Sequence, residues 1–229
     1  MKINIYHCID GAKQARGAAV IIDVFRAFTV ECYLSQNGAA AIYPVGSLDF
    51  VREYKKAHPD TVLVGERHGV KLPGFDFGNS PSAVKPVDFR GKTVMHTTSA
   101  GTQGIANARN ADIILTGALV NAKAIANYIK KQGFSEVSLV CMGLEGTAPT
   151  AEDDLCAEYI KSILEERPIS LAEPIEDLKR TSGAKFFDPL QASVFPTEDF
   201  YLSTDYDRFD FVLQAEKCGE LTKIRRIDL

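Results

Sequence analysis

The sequence predicts an α/β fold: a mainly parallel or mixed sheet covered by helices on both faces, in three α/β/α layers. Three observations predict it. Apolar, β-branched runs recur along the chain, segments with apolar residues at three-to-four spacing fill the gaps between them, and turn residues stand where those segments should stop. Strand and helix alternating in this way is the pattern of a sheet whose crossover helices pack on its faces. A length of 229 residues suits a single domain over 1–229.

Strands are predicted at 2–6, 18–23, 40–44, 61–64, 93–95, 113–116 and 137–141, each rich in Val, Ile or other apolar residues. Helices are predicted at 27–36, 48–56, 103–107, 122–131 and 152–166, where apolar residues fall on one helical stripe. Asn37-Gly38 and Gly133 mark helix ends, and Ser47 is placed to cap the helix after it. The last fifty residues are less regular. Gly183, Pro189, Pro196 and the acidic run TEDFYLSTDYD predict loops and short helices on one side, with the strand-like LTKIRRI as an added edge.

Composition narrows the function classes. Apolar residues at 45% and charged residues at 24% are ordinary for a globular protein. A formal charge of −4, with no basic tract, argues against a nucleic-acid surface and for a small partner. The start of the chain shows no apolar signal core and no run approaches membrane-spanning length, so no membrane contact and a cytoplasmic protein are expected. Oligomeric state, homo-oligomer included, is left open. The five cysteines are widely spaced without a CxxC pair, and the four histidines form no HxxxH, so neither a disulfide framework nor a zinc ligand set is predicted.

Ligands of open α/β sheets bind outside the carboxyl ends of the strands, so the strand exits carry the functional expectations. The first exit, AAVIIDVFRAFT, delivers Asp23 and then Arg26. A carboxylate there can hold a metal, take a proton or attack phosphorus, and a guanidinium can fork onto an anion. A helix-capping Asp paired with the Arg explains the same residues. The second exit, TVLVGERHGVKLPGFDFGNSPS, places Glu66 and Arg67 before a glycine-punctuated loop presenting His68, Lys71, Asp76, Asn79 and Ser80, with Pro81 opening a helix. A surface lid without chemistry is the alternative.

The third exit, TVMHTTSAGTQGI, offers Thr97, Thr98, Ser99, Gly101 and Thr102 just before a helix. Small hydroxyl residues and glycines there make a candidate anion cradle, or simply a cap. The fourth, VCMGLEGTAPTAEDD, gives Glu152, Asp153 and Asp154. Thr150 with Asp153 fits a capping box, and the three carboxylates equally suit a hard cation such as Mg²⁺. Competing signatures fail: Pro86 stands where a P-loop needs glycine, and GxGxxG, GxSxG, a strand-end DxD and the cysteine-phosphatase arginine are all absent.

Taken together, IIDVFRAFT, then GER with GFDFGNSPS, then GKTVMHTTSAGTQG resemble the 2-phosphosulfolactate phosphatase family, in order from about residue 18 to 104. TAEDDLCAEYI resembles that family's acidic helix start, and the last quarter matches loosely. The resemblance implies a magnesium-dependent phosphatase converting (R)-2-phospho-3-sulfolactate to 3-sulfolactate and phosphate, a step towards coenzyme M. The third block departs from the family's usual TTTNGT at His96 and at Ser99-Ala100.

On this reading Mg²⁺ is held by Asp23 with Glu66 or the Glu152, Asp153 and Asp154 cluster. Arg26 and Arg67 grip the substrate's anionic groups, with Asn79, Ser80, Thr97, Thr98, Gly101 and Thr102 also contacting substrate. Asp23, Glu66 and Asp76 are the catalytic carboxylates; whether one attacks phosphorus itself or orients water is left open. The alternative function is a non-catalytic binding protein for a small phosphorylated or sulfonated metabolite, and a third is an interaction domain whose motifs are helix caps.

Overall fold

The computed structural model describes residues 1–229. In chain order its elements are β1 (Lys2–His7), α1 (Cys8–Gln14), β2 (Ala18–Ile22), α2 (Ala27–Gln36), β3 (Ala41–Pro44), α3 (Leu48–Ala57), β4 (Val62–Arg67), β5 (Val70–Lys71), α4 (Pro81–Val84) and β6 (Thr93–Thr97). They continue with α5 (Gly101–Asn107), β7 (Ile113–Gly117), α6 (Ala122–Gln132), β8 (Glu136–Cys141), α7 (Ala151–Leu164), α8 (Ala172–Leu178), α9 (Thr197–Thr204), β9 (Phe211–Cys218) and β10 (Leu221–Asp228). All seven expected strands and five expected helices are present within a few residues of their expected bounds.

The sheet is mixed, with the order β1-β8-β2-β7-β9-β10-β3-β6-β4-β5. Two parallel groups, β1-β8-β2-β7 and β3-β6-β4, are joined by the antiparallel hairpin β9–β10. This corrects two expectations. The strand in LTKIRRI lies at the centre of the sheet rather than at an edge, and 211–218, expected as loop, is its partner strand. Phe211, Val212 and Leu213 are buried, whereas the hairpin's far end is polar and exposed, so only half of β9 carries a core pattern.

Three successive antiparallel pairings separate the two parallel groups, so their strands run in opposite senses along the sheet. In a flat sheet their carboxyl ends would sit on opposite edges. The exits of both groups nevertheless supply residues to one cleft, Asp23 and Gly143 from the first and Glu66 and Ser99 from the second. The β10–β3 seam between the groups is held by the single pair Ile224 and Ile42.

Alternation along β2 shows the layers. Ala19 and Ile21 enter one core cluster, with Phe28 and Val30 of α2, while Ala18, Val20 and Ile22 enter another, with Ile125 of α6 and Ile160 of α7. The first cluster also takes Ile42, Val64 and Val94 from the second strand group, so it is shared by both halves. A third cluster, around Val51 of α3, Leu63 and Met95, covers the second group's other face. Helix α2 is buried from Ala27 to Leu34, as expected of a helix packed on all sides.

Local signals for helix ends act as read for α2, α3 and α6. Ser47 Oγ accepts from Phe50 N at 3.3 Å, α2 stops at Asn37 with Gly38 at φ 88°, and Gly133 closes α6 at φ 72°. The expected capping box at α7 is not formed. Thr150 is the N-cap, but its Oγ1 has no partner, and Asp153 is engaged elsewhere. No helix is long and apolar enough to cross a membrane.

Candidate active site

The exits of β2, β4, β6 and β8 converge on a cleft of about 200 Å³. Asp23, straight after β2, is 7% exposed, and its Oδ1 accepts from Ala27 N at 3.2 Å in the first turn of α2. The capping reading holds in part: Asp23 bonds the first amide of α2, but Arg26 is the N-cap residue and pairs with Asp199 rather than with Asp23. The bond to Ala27 leaves Asp23 Oδ2 free of protein donors. Helix α5 starts against this carboxylate: a Cβ on Gly101 would lie 3.1 Å from Asp23 Oδ2 and 3.0 Å from the Phe28 ring, which is why a glycine stands there.

Three more buried carboxylates line the cleft. Glu66, at the end of β4, accepts from Ser99 N at 2.8 Å and Gly69 N at 2.6 Å, so it ties the β6–α5 loop to the loop after β4. Asp153 accepts from Val24 N at 2.9 Å and Gly143 N at 2.8 Å, tying the start of α7 to the exits of β2 and β8. Glu152 is 4% exposed, and its Oε2 is buried without a partner, as are the neighbouring Thr150 Oγ1 and Ser99 Oγ.

Burial sets the electrostatics. Asp23 is pushed up to about 7, first by desolvation and then by the charges of Glu66 and Glu152, against the pull of the Ala27 N–H. Asp153 is raised as well, by desolvation and by Glu152 and Asp23. These carboxylates make no ion pair with any cation of the chain, and orphaned acceptor oxygens point to something missing. A hard divalent cation fits this donor set, since it binds oxygen ligands and offsets like charge. Asp23, Glu152 and Asp153 are the cleft residues that could hold it.

The cations on the wall differ from one another. Arg26 is 3% exposed; its Nη1 donates to Asp199 Oδ2 at 2.7 Å and Val194 O at 2.8 Å, and its Nη2 to Gly69 O at 3.1 Å. Its guanidinium also lies 4.8 Å from the Phe195 ring centroid. Three of its five N–H groups thus clasp the cleft to the C-terminal segment. Lys185, on the helical turn Ala184–Phe187, makes no hydrogen bond or ion pair and stands 5.3 and 5.6 Å from the Phe195 and Phe186 ring centroids. Burial lowers its pKa, against the pull of Glu152.

The rim and floor complete the cleft. His68 and Glu145, both in left-handed backbone and both lining the cleft, are joined by a hydrogen bond between His68 Nδ1 and Glu145 Oε1. Beneath, Asn79 Oδ1 bonds His96 Nε2 at 3.2 Å, and His96 Nδ1 bonds Glu31 Oε1 at 3.0 Å, both residues fully buried.

Of the residues singled out from the sequence, Asp23, Arg26, Glu66, Asn79, Glu152 and Asp153 line the cleft together. His68, Ser99 and Thr150 line it too, whereas Arg67, Asp76, Ser80, Thr97, Thr98, Thr102 and Asp154 are not among its lining residues. Arg67 bonds Glu66 O, Gly46 O and Thr97 Oγ1. Thr98 Oγ1 accepts from Thr102 N, and Thr102 Oγ1 bonds Thr98 O, a local cap of α5. Ser80 Oγ donates to Asp199 at 2.9 Å. Asp76, 43% exposed at its side chain, accepts from Leu63 N on the far side of β4. Asp154 pairs with His7 at 2.8 Å, and with Cys141 these two form a cluster that their separations in sequence hide.

Within the fourth exit, sequence reading named the acidic residues but not Gly143, Leu144 or Glu145, and it missed Lys185 and Phe195 as cleft residues. Their one local signal is the aromatic pair after Lys185, and Phe186 anchors that turn by packing on Phe25 (5.0 Å) and Phe195 (5.7 Å).

Comparison with known proteins gives the chain's relatives. A family model described as 2-phosphosulpholactate phosphatase matches residues 4–216. A protein of Bacillus subtilis (strain 168) named "Probable 2-phosphosulfolactate phosphatase" is 36% identical over 230 aligned positions, covering 99% of each chain. Proteins with the same name from Caldicellulosiruptor saccharolyticus and Synechococcus sp. (strain CC9605) are 39% and 40% identical, covering 65% and 69% of this chain and 62% and 66% of their own.

Proposed function

The chain belongs to the 2-phosphosulfolactate phosphatase family, and from that premise we propose that it hydrolyses (R)-2-phospho-3-sulfolactate to 3-sulfolactate and phosphate in the cleft beside Asp23. The observation that carries this reading is the set of buried carboxylates without a cationic partner, gathered where four strand exits meet. Magnesium is the cofactor proposed, held by Asp23, Glu152 and Asp153. When bound, it offsets charge on the phosphate oxygens and lowers the cost of further negative charge in the transition state.

The chain's own residues do the rest. Asp23 keeps Oδ2 free of protein donors beside the site of attack, so it takes a proton from the attacking water and returns it to the departing ester oxygen. The new bond joins water oxygen to phosphorus, the ester P–O bond breaks, one water proton ends on the substrate's 2-hydroxyl and the other stays on phosphate. Asp76 lies too far round β4 to share this work. Glu66 spends both oxygens on backbone amides, and so positions the two loops that face phosphate. Arg26 holds the wall in place through Asp199 and Gly69.

Placement in sulfolactate or coenzyme M synthesis follows from the product. A cytoplasmic site of action is part of the same proposal, supported by five cysteines without a disulfide. The test is phosphate release from 2-phospho-3-sulfolactate and from an aryl phosphate, with Mg²⁺ and with EDTA. Release that needs Mg²⁺ and favours the sulfonated ester is expected. No release of phosphate from folded protein would replace this reading with that of a metabolite-binding protein.

A further inference from the structure

A substrate with a phosphate ester, a carboxylate and a sulfonate brings several negative charges into a cleft already lined by Asp23, Glu66, Glu145, Glu152 and Asp153. A cation held by the carboxylates serves the phosphate. The groups at the other end of the substrate need positive charge away from that centre. Arg26 has three donors committed to the fold, and His68 is paired with Glu145. Lys185 is left: it lines the cleft, has no hydrogen bond or ion pair, and faces the carboxylates from the opposite, C-terminal wall.

Its surroundings select among anions. The ammonium stands against the rings of Phe186 and Phe195, and Phe25 also lines the cleft. A wall of phenyl rings offers few hydrogen bonds to an anion brought against it, so it favours the group that gives up water most easily. A sulfonate spreads one charge over three oxygens and is less strongly hydrated than a carboxylate or a phosphate. The turn is also fixed, because Phe186 is 1% exposed within an aromatic cluster, so Lys185 is presented from a rigid base.

We propose that Lys185, with the Phe186 and Phe195 rings, forms the sulfonate subsite that makes this cleft specific for a sulfonated phosphate ester. The inference rests on the function proposed above, and the experiment separates the two. Steady-state rates are measured for wild type, Lys185→Gln and Lys185→Arg on 2-phospho-3-sulfolactate, on 2-phospholactate, which lacks the sulfonate, and on an aryl phosphate.

Lys185→Gln should lower kcat/KM for the sulfonated ester ten- to hundredfold, mainly through KM, as expected for a lost charged hydrogen bond. It should change 2-phospholactate less than about threefold, and Lys185→Arg should recover part of the loss. On wild type alone, 3-sulfolactate should inhibit aryl phosphate hydrolysis at least about tenfold better than lactate, a readout that holds even if a variant fails to fold. Equal losses on both esters, or equal inhibition by both acids, would overturn the subsite. Failure of wild type to hydrolyse any of the three esters would overturn the phosphatase reading instead.

Discussion

Two groups of buried charge flank the exit of β2, three residues apart in their nearest members, and they are built on opposite terms. Around Arg26, Asp199 is fully buried and every demand is met: Oδ2 accepts from the guanidinium, and Oδ1 from Ser80 Oγ, Ser82 N and Ser82 Oγ. Around Asp23, Glu66, Glu152 and Asp153 crowd together with no cation of the chain to pair them, and Glu152 keeps an oxygen with no partner. Burying charge is tolerable when it is paired and hydrogen-bonded, and costly otherwise. The first group is therefore part of the fold, holding the C-terminal segment to the cleft. The second is a cost to the fold that the cation proposed above would offset.

The largest effect expected separates the groups by stability. Asp199→Ala leaves the Arg26 guanidinium buried without its counter-ion, which should cost about 3–5 kcal/mol and lower the melting temperature by roughly 6–20 °C. A shift within 2 °C would place Arg26 and Asp199 outside the structural class. Next comes Asp23→Asn, expected to reduce turnover by at least about a hundredfold while leaving the melting temperature in EDTA unchanged or higher. Near-normal turnover, or a melt lowered as far as that of Asp199→Ala, would erase the contrast.

The smallest effect sharpens it through pH. Folded Asp23 keeps its proton up to about 7, whereas the unfolded chain releases it near the ordinary carboxylate value. Between these values the unfolded state binds fewer protons, so stability is greatest below pH 4 for this group and falls as pH rises through 7. Without metal, the wild-type melting temperature should therefore drop relative to Asp23→Asn by roughly 5 °C between pH 5 and pH 8. Mg²⁺ should restore most of the difference at pH 8. Parallel profiles for the two proteins would show that Asp23 is not held protonated.

Much of this architecture was legible in the chain. Strand and helix periods, Ser47, Gly133 and the Asn37-Gly38 stop placed the elements, because those signals act within a few residues of where they are written. The strand exits named Asp23, Glu66, Asn79, Glu152 and Asp153, and the structure gathers them. The same local logic misled at α7, where Thr150 and Asp153 have capping spacing but Asp153 is taken by Val24 and Gly143. Lys185 carried only the aromatic pair that follows it, Phe186-Phe187, as a local signal.

What the sequence determined by itself was the alternation of elements and the identity of residues at strand ends, since both depend on neighbours along the chain. Tertiary structure alone decided that a late hairpin would join two strand groups at the centre of the sheet, that exits from both groups would line one cleft, and which charges would be paired. The contacts responsible span 129 residues from Val24 to Asp153 and 173 from Arg26 to Asp199. Pairing and desolvation at such separations follow from the packed sheet and leave no period in the sequence.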